Sequence, residues 1–416
     1  MQIPCGKLNL LITVDQPGRF KCPPLSDLEQ EMEETPDTTE KRIAFIAQGN
    51  LDPERASQLL NKIFNAKDYL IVLRAYPAPQ QYIDGLYKIF CNLPHGAPIS
   101  QRCFRALRKA GGETGLLPTG YDFSFPLEKQ DTLPRASGGF SDVWKAKGPT
   151  GAIFALKILH VTQRDNIRDI KKRFCKEVLI AKLVDNENVL AIEGVQMTDE
   201  PKFCIVSEWM EHGDMHTYLK GNESADRVEL LLGVVRGLNY LHSIEVVHGD
   251  LKSSNVLIDS GGNPRLTDFG LSSVTRNDIS ANASTPNGGG TIRWRAPELF
   301  ELSTKAKDEG KAKLARPTKK SDTYSLAMVV IEIFTGRHPF HPHRDEQVIV
   351  LLSKGSRPGR PDHQQFTPQM WSLTRKCWKK DPKKRPDIPK VLENLEPGAE
   401  RANRKNLWTL WNPFSS

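Results

Sequence analysis

Between two apolar runs, Val246-Val247 and Val256-Leu257-Ile258, the chain carries His248-Gly249-Asp250-Leu251-Lys252-Ser253-Ser254-Asn255. A carboxylate, an ammonium two residues on and an amide five residues on thus share one short loop. Flanking strands would hold that loop rigid. A second carboxylate follows eighteen residues after Asp250, in Asp268-Phe269-Gly270. Two carboxylates and an amide that converge on one point suit Mg²⁺ and a nucleophilic hydroxyl, because hard oxygens hold the ion and a carboxylate can orient the hydroxyl. Upstream, Lys157 interrupts the apolar run Ile153-Phe154-Ala155-Leu156-Lys157-Ile158-Leu159. An ammonium in such a strand is costly unless it meets an anion. Before it lies Ala136-Ser137-Gly138-Gly139-Phe140-Ser141-Asp142-Val143, whose small side chains let backbone amides approach a phosphate. Taken alone, that segment reads as a glycine-rich hairpin turn.

In this order and spacing, the stretches resemble the motifs of eukaryotic protein kinases. Residues 248–255 are similar to the catalytic loop H-R-D-L-x-x-x-N, with Gly249 in place of the arginine. Asp268-Phe269-Gly270 and Ala296-Pro297-Glu298 are similar to the D-F-G and A-P-E triplets. Residues 136–143 resemble G-x-G-x-x-G-x-V, with Ala136 at the first glycine and Ser141 at the third, and the Lys157 strand resembles V-A-I-K. Gly138 to Trp144, Ser253 to Ile258 and Thr291 to Glu298 look most like the tyrosine-kinase-like group of serine/threonine kinases. The resemblance covers residues 128–394.

That resemblance implies an α+β, two-lobed fold: a small β-rich N-lobe, a larger helical C-lobe and ATP in the cleft. It implies that Asp250 orients the substrate hydroxyl and accepts its proton, and that Lys252 steadies the transferred phosphoryl group. Asn255 and Asp268 would bind Mg²⁺. Lys157 would reach the α/β-phosphates and pair with Glu177 on the next helix, Ile167 to Leu183. Thr291 would bond the catalytic Asp and Lys. The ATP site would be lined by Ala136, Ser137, Gly138, Gly139, Phe140, Val143, Ala155, Lys157, Glu208, Met210 and Leu257, with Ser207 as a small gate behind it. Glu298 would be neutralised by Arg385, and Asp322 would bond the catalytic-loop backbone. His248 is expected to brace the Asp268 triplet rather than act as a base. Gly249 cannot pair with a phosphorylated activation loop, so Ser272, Ser273, Thr275, Ser280, Ser284 and Thr285 would act otherwise or be plain loop residues. The implied function is Mg²⁺-ATP-dependent phosphorylation of Ser/Thr in proteins, in intracellular signalling. The alternative is a pseudokinase scaffold with little phosphotransfer.

The length of 416 residues allows two or three domains at ~100–200 residues each. Residues 1–40 carry Pro17, Pro23, Pro24, Pro36 and an acidic patch, and read as irregular. Residues 41–115 read as a small helical block. Pro53 opens a first helix behind Asp52, with Leu59, Leu60 and Ile63 at helical spacing. Further runs are expected through Tyr69 to Arg74, Tyr82 to Asn92 and Ser100 to Ala110, the last capped by Ser100 and ended by Gly111-Gly112. The block carries no catalytic constellation. It can fold alone, dock on the larger domain or bind a protein partner. A linker, 116–127, leads to a first strand near Leu127 to Pro134, and residues 395–416 form a Trp-containing tail.

The net charge of +8 comes partly from local runs such as Lys305 to Lys320, which reads as a solvated loop, or else as a docking site for an acidic substrate. No face interleaves basic and aromatic residues, so nucleic acid is not an expected partner. The seven cysteines are widely spaced without C-x-x-C, which argues for a reducing compartment. No apolar run approaches the ~20 residues of a membrane span. The expectation is a soluble, intracellular, cytoplasmic protein.

Overall fold

A computed structural model describes residues 42–43, 46, 53–65, 79–92, 98–138, 141–161, 166–197, 203–269, 291–300 and 315–396. The expected irregular N-terminus, the Tyr69 to Arg74 run, the activation-segment hydroxyls, Lys305 to Lys313 and the tail lie outside these residues.

Three helices come first: α1 (Pro53–Asn65), α2 (Pro79–Cys91) and α3 (Pro98–Thr114). Helix α1 begins at Pro53, as its fixed φ favours. Helix α3 departs from the sequence expectation. It starts before Ser100, which is a buried helical residue, and it runs through Gly111-Gly112 to Thr114. The glycine pair serves packing rather than termination: a Cβ on Gly111 would stand 2.3 Å from Leu179 Cδ1. The chain leaves the helix one turn later. There the Thr114 hydroxyl bonds back to the Ala110 carbonyl at 2.8 Å, and Gly115 takes a φ of +73°.

The sheet contains β1 (Glu128–Lys129), β2 (Ala136–Ser137), β3 (Ser141–Lys147), β4 (Ile153–Leu159), β5 (Ile192–Met197) and β6 (Phe203–Glu208). Its order is β1-β3-β4-β6-β5, with β2 on β3, and every pair is antiparallel. The first strand is far shorter than Leu127 to Pro134. Residues 131–134 bend away instead, and Arg135 closes the bend with an ion pair to Asp131 at 2.7 Å. Register decides the two faces. Ala146, Leu156, Cys204 and Val206 form a small outer core, with Trp144, Phe154 and Ile158 packed on it. The alternate residues Val143, Ala155, Lys157, Ile205 and Ser207 point to the opposite face.

Helix α4 (Ile167–Leu183), capped by the Asn166 side chain, lies between β4 and β5 in sequence and packs on β5 and β6. Its other side meets α3. The buried side chains of α1, α2 and α3 (Leu59, Leu60, Ile83, Leu86, Cys103, Leu107) form one continuous cluster with Phe174, Val178 and Leu179 of α4. The helical block therefore docks on the larger domain. Asp84 holds the connecting segment by accepting from both Thr119 N and Oγ1 at 2.8 Å, and Tyr121, fully buried, donates to the Leu179 carbonyl at 3.4 Å.

The helical lobe comprises α5 (Met215–Gly221), α6 (Arg227–Ser243), β7 (Val256–Ile258), β8 (Pro264–Leu266), α7 (Lys319–Thr335), α8 (Asp345–Ser353), α9 (Pro368–Cys377) and α10 (Ile388–Leu395). Helix α7 is buried along most of its length and ends at Gly336, φ +65°. Cys103, Cys175 and Cys377 are buried thiols that burial pushes up to about 12, and Cys204 up to about 11, so none is a reactive thiolate. No helix among the described residues is long and apolar enough to cross a membrane.

Candidate active site

The loop from His248 to Asn255 hangs from α7. Asp322, in the first turn of that helix, is 1 % exposed. Its Oδ2 accepts from His248 N and its Oδ1 from Gly249 N, both at 2.8 Å, and His242 Nε2 lies 2.8 Å from Oδ2. Three turns further along α7, Glu332 accepts from Ser253 N at 3.1 Å, from Ser253 Oγ at 2.8 Å and from Trp294 Nε1 at 2.6 Å. Two buried carboxylates thus grip both ends of the loop. Between them Gly249 takes a φ of +80°, which only glycine adopts freely.

Within the loop, Lys252 Nζ lies 3.0 Å from Asp250 Oδ2 and donates to Thr291 Oγ1 at 3.2 Å. The Asn255 amide donates to the Asp250 carbonyl at 2.8 Å and to Oδ2 at 3.1 Å. An amide that spends its NH₂ on Asp250 keeps its carbonyl oxygen as the ligand a cation can use. Asp268 occupies the left-handed region at φ +60°, a conformation found at functional sites when the surroundings impose it. Lys157 Nζ meets its carboxylate in an ion pair. Burial pushes the Asp268 carboxyl up. Lys157 outweighs that and, with His248 and Lys252, holds it below the usual aspartate range. These ionised oxygens and the Asn255 carbonyl suit a hard, oxygen-seeking ion such as Mg²⁺.

Glu177 lies on α4, but its side chain is outside the described residues. Among the described residues, the anion that meets Lys157 is Asp268. His248 is fully buried. Burial holds it below the ordinary histidine value against the pull of Asp322, Asp250 and Asp268, which favours the neutral ring. It sits edge-on to Phe269, centroids 6.4 Å apart. Its Nε2 has no hydrogen-bond partner among the described residues.

Above the loop, Ala136 pairs with Val143 and Ser137 with Asp142, and Gly138 N bonds Ser141 O at 3.0 Å. Ser137 Oγ donates to Asp142 Oδ1 at 2.6 Å, and His160 Nε2 lies 3.1 Å from Asp142 Oδ2. Gly139 and Phe140 lie outside the described residues. Lys157 sits in register between Val143 and Ile205, and Ala155 opposite Ser207, so Val143, Ala155 and Lys157 share one face. At the end of β6, Ser207 is buried, Glu208 exposed and Met210 buried. Leu257, on β7, bridges Asp214 just beyond this turn. Arg385, completely buried, holds Glu298 through two bonds of 2.6 and 2.8 Å and lies over the Tyr324 ring.

Sequence reasoning missed Glu332 and Arg295. Glu332 interrupts an apolar run, Met328 to Phe334, just as Lys157 does, and the same cost argument would have found it. Arg295 lies near enough to Asp250 for that charge to oppose the lowering that burial imposes on its guanidinium.

Comparison with known proteins adds the ancestry. A family model described as protein tyrosine and serine/threonine kinase matches residues 132–395. The chain is 30 % identical over 266 residues to the serine/threonine-protein kinase STY46 of Arabidopsis thaliana, which covers 63 % of this chain and 42 % of that protein. It is 32 % identical over 246 residues to STY17 of the same plant, covering 58 % and 40 % respectively. It is 28 % identical to the human receptor-interacting serine/threonine-protein kinase 1, over 65 % of this chain and 41 % of that one. The chain thus spans about two fifths of the length of these relatives. With the two lobes and the shared segment both in view, the chain belongs to the protein tyrosine and serine/threonine kinase family.

Proposed function

We propose that the protein transfers the γ-phosphoryl group of Mg²⁺-ATP to Ser/Thr hydroxyls of proteins, in intracellular signalling. The observation that carries this reading is the Asp250-Lys252-Asn255-Thr291 cluster beside the Lys157–Asp268 pair. Asp250 Oδ2 is taken up by Lys252 and Asn255, so Oδ1 is the oxygen left to orient an incoming hydroxyl and accept its proton. The hydroxyl oxygen bonds to the γ-phosphorus as the bond to the β-phosphate oxygen breaks, and ADP leaves. Lys252, bridging Asp250 and Thr291, is placed to counter the charge on the phosphoryl oxygens. Asn255 and Asp268 would hold Mg²⁺, which when bound neutralises phosphate charge. Lys157 would reach the α/β-phosphates and pair with Glu177. Val143, Ala155, Leu257 and the backbone from Glu208 to Met210 would take the adenine. The serine/threonine preference rests on the Lys252–Thr291 bond and on the names of the relatives.

A scaffold without phosphotransfer is favoured by one observation, that Lys157 engages the metal-binding carboxylate itself. For a protein partner, the helical block offers only the faces it does not spend on α4. Phosphate incorporation from labelled ATP into the protein and a generic basic substrate separates the readings. Incorporation on Ser/Thr that Asp250→Ala abolishes supports the enzyme. Intact Mg²⁺-ATP binding without incorporation by wild type overturns it.

A further inference from the structure

At the carboxylate that anchors the Ser253 end of the loop, the first turn of α5, the buried helix α7 and the turn after α7 bring two imidazoles and that carboxylate together. We propose that His216, His338 and Glu332 bind a transition-metal dication of the zinc class. The proposal is independent of phosphotransfer.

One ligand atom from each of the three residues lies within 4.8 Å of those of the other two. His338 Nδ1 is 3.0 Å from Glu332 Oε1. The His216 and His338 rings stack with centroids 4.4 Å apart and planes 16° from parallel. Zinc bonds of ~2.0–2.2 Å to nitrogen and oxygen place tetrahedral ligands about 3.5 Å apart. To share an ion the two stacked rings must turn out of parallel, and the His338 side chain, 50 % exposed, has room to do so. The ion then takes the place of the proton between His338 and Glu332.

The donor set chooses the metal. Two imidazoles and one carboxylate suit zinc, cobalt, nickel or copper, whereas Mg²⁺ and Ca²⁺ require oxygens. Such a three-ligand set leaves a position for water, and the exposed His338 side leaves a way in.

The outer contacts of the carboxylate are already built. Ser253 N and Oγ and Trp294 Nε1 fix Glu332, so the oxygen facing His338 is presented in one orientation. The Trp294 ring stands edge-on to His338 at 5.6 Å and walls the site. A purely structural role does not account for the second histidine. Glu332 has its charge met by three donors without His216, and two stacked imidazoles repel each other when both are protonated.

The test uses the full chain, freed of metal with a chelator and titrated with Co²⁺ and then Zn²⁺. The expected result is a visible Co²⁺ absorption that saturates at equimolar metal and is displaced by Zn²⁺. Zn²⁺ should also raise the melting temperature where an equal concentration of Mg²⁺ without ATP does not. His216→Asn and His338→Asn should each weaken Co²⁺ affinity at least about tenfold, since even indirect ligand partners contribute 10–100-fold. The double variant should lose the absorption. Unchanged melting temperatures without metal would show that both variants fold. Absence of the absorption in wild type overturns the proposal. So does an unaltered titration in the double variant, which would send the ion to other groups such as His341, His343 or Cys91.

Discussion

Asp250 and Lys157 approach the same cleft, but they are held there by different means. The loop of Asp250 is suspended from inside. Asp322 and Glu332 of α7 accept its backbone amides, and both carboxylates are 1 % exposed. The Lys157 side is assembled from outside. Strand β4 is fixed by its neighbours in the sheet, and helix α4 behind it is backed by α3 from the N-terminal block. Among the described residues, the glycine-loop hairpin is held by the β2–β3 pairing and by a Ser137–Asp142–His160 chain at the surface. On the proposed reading, the group that would meet a hydroxyl in one geometry is anchored in a buried helix, and the groups that would take a nucleotide rest on the sheet and its outer supports.

Breaking the inner anchor has the largest expected effect. Asp322→Ala leaves the amides of His248 and Gly249 without their acceptor, and should cost about 3–5 kcal/mol in denaturant unfolding, together with phosphotransfer. If stability falls by less than half of that, the loop holds itself. Next comes the outer support. Gly111→Leu drives a side chain into Leu179 and should cost about 1–3 kcal/mol while lowering the rate through α4. Equal loss of rate and stability would refute a selective effect on α4.

A smaller effect sits in the β7–β8 turn, on the rigid side. Asp259 accepts from Gly261 N and Asn263 N and pairs with Arg265 at 2.9 Å. Burial pushes its carboxyl up, but Asn263 and Arg265 outweigh burial and lower it. The folded state then binds the proton less tightly than the unfolded chain. Its stabilisation is complete above the unfolded value of about 3.9 and is lost as pH falls through the lower folded value. Asp259→Asn should remove that acid-limb slope from unfolding free energies measured against pH. The smallest effect on stability belongs to the glycine loop. Asp142→Asn should leave the melting temperature unchanged and raise the KM for Mg²⁺-ATP, and a clear fall in melting temperature would mean that the hairpin contributes to stability as the inner anchor does.

The two sides also differ in how far they could be read from the chain alone. The inner side was legible because its motifs are contiguous: three polar groups in one octet and an aspartate eighteen residues on. The Arg385–Glu298 pair followed from the family resemblance and is present. Glu332 lies outside every contiguous motif, and its only signal in the sequence is a carboxylate in an apolar helix, which demands donors as an ammonium in a strand demands an anion. The outer side was legible only in part. Gly111-Gly112 was read as a helix stop because that rule is local, whereas the reason for glycine is Leu179, which arrives from a different helix far along the sequence. The irregular bend at 131–134 likewise reflects an ion pair that alternation does not encode.

The seam between α3 and α4 has a practical consequence. The segment that matches the family begins at residue 132, yet Leu179 and Cys175 on α4 are buried in a cluster to which α1, α2 and α3 also belong. A chain trimmed to the family boundary would present that greasy strip to water. It should express poorly, self-associate and bind hydrophobic dyes, and supplying residues 41–125 as a separate polypeptide should restore its solubility. The natural unit of handling for this protein is therefore larger than the unit of its kinship.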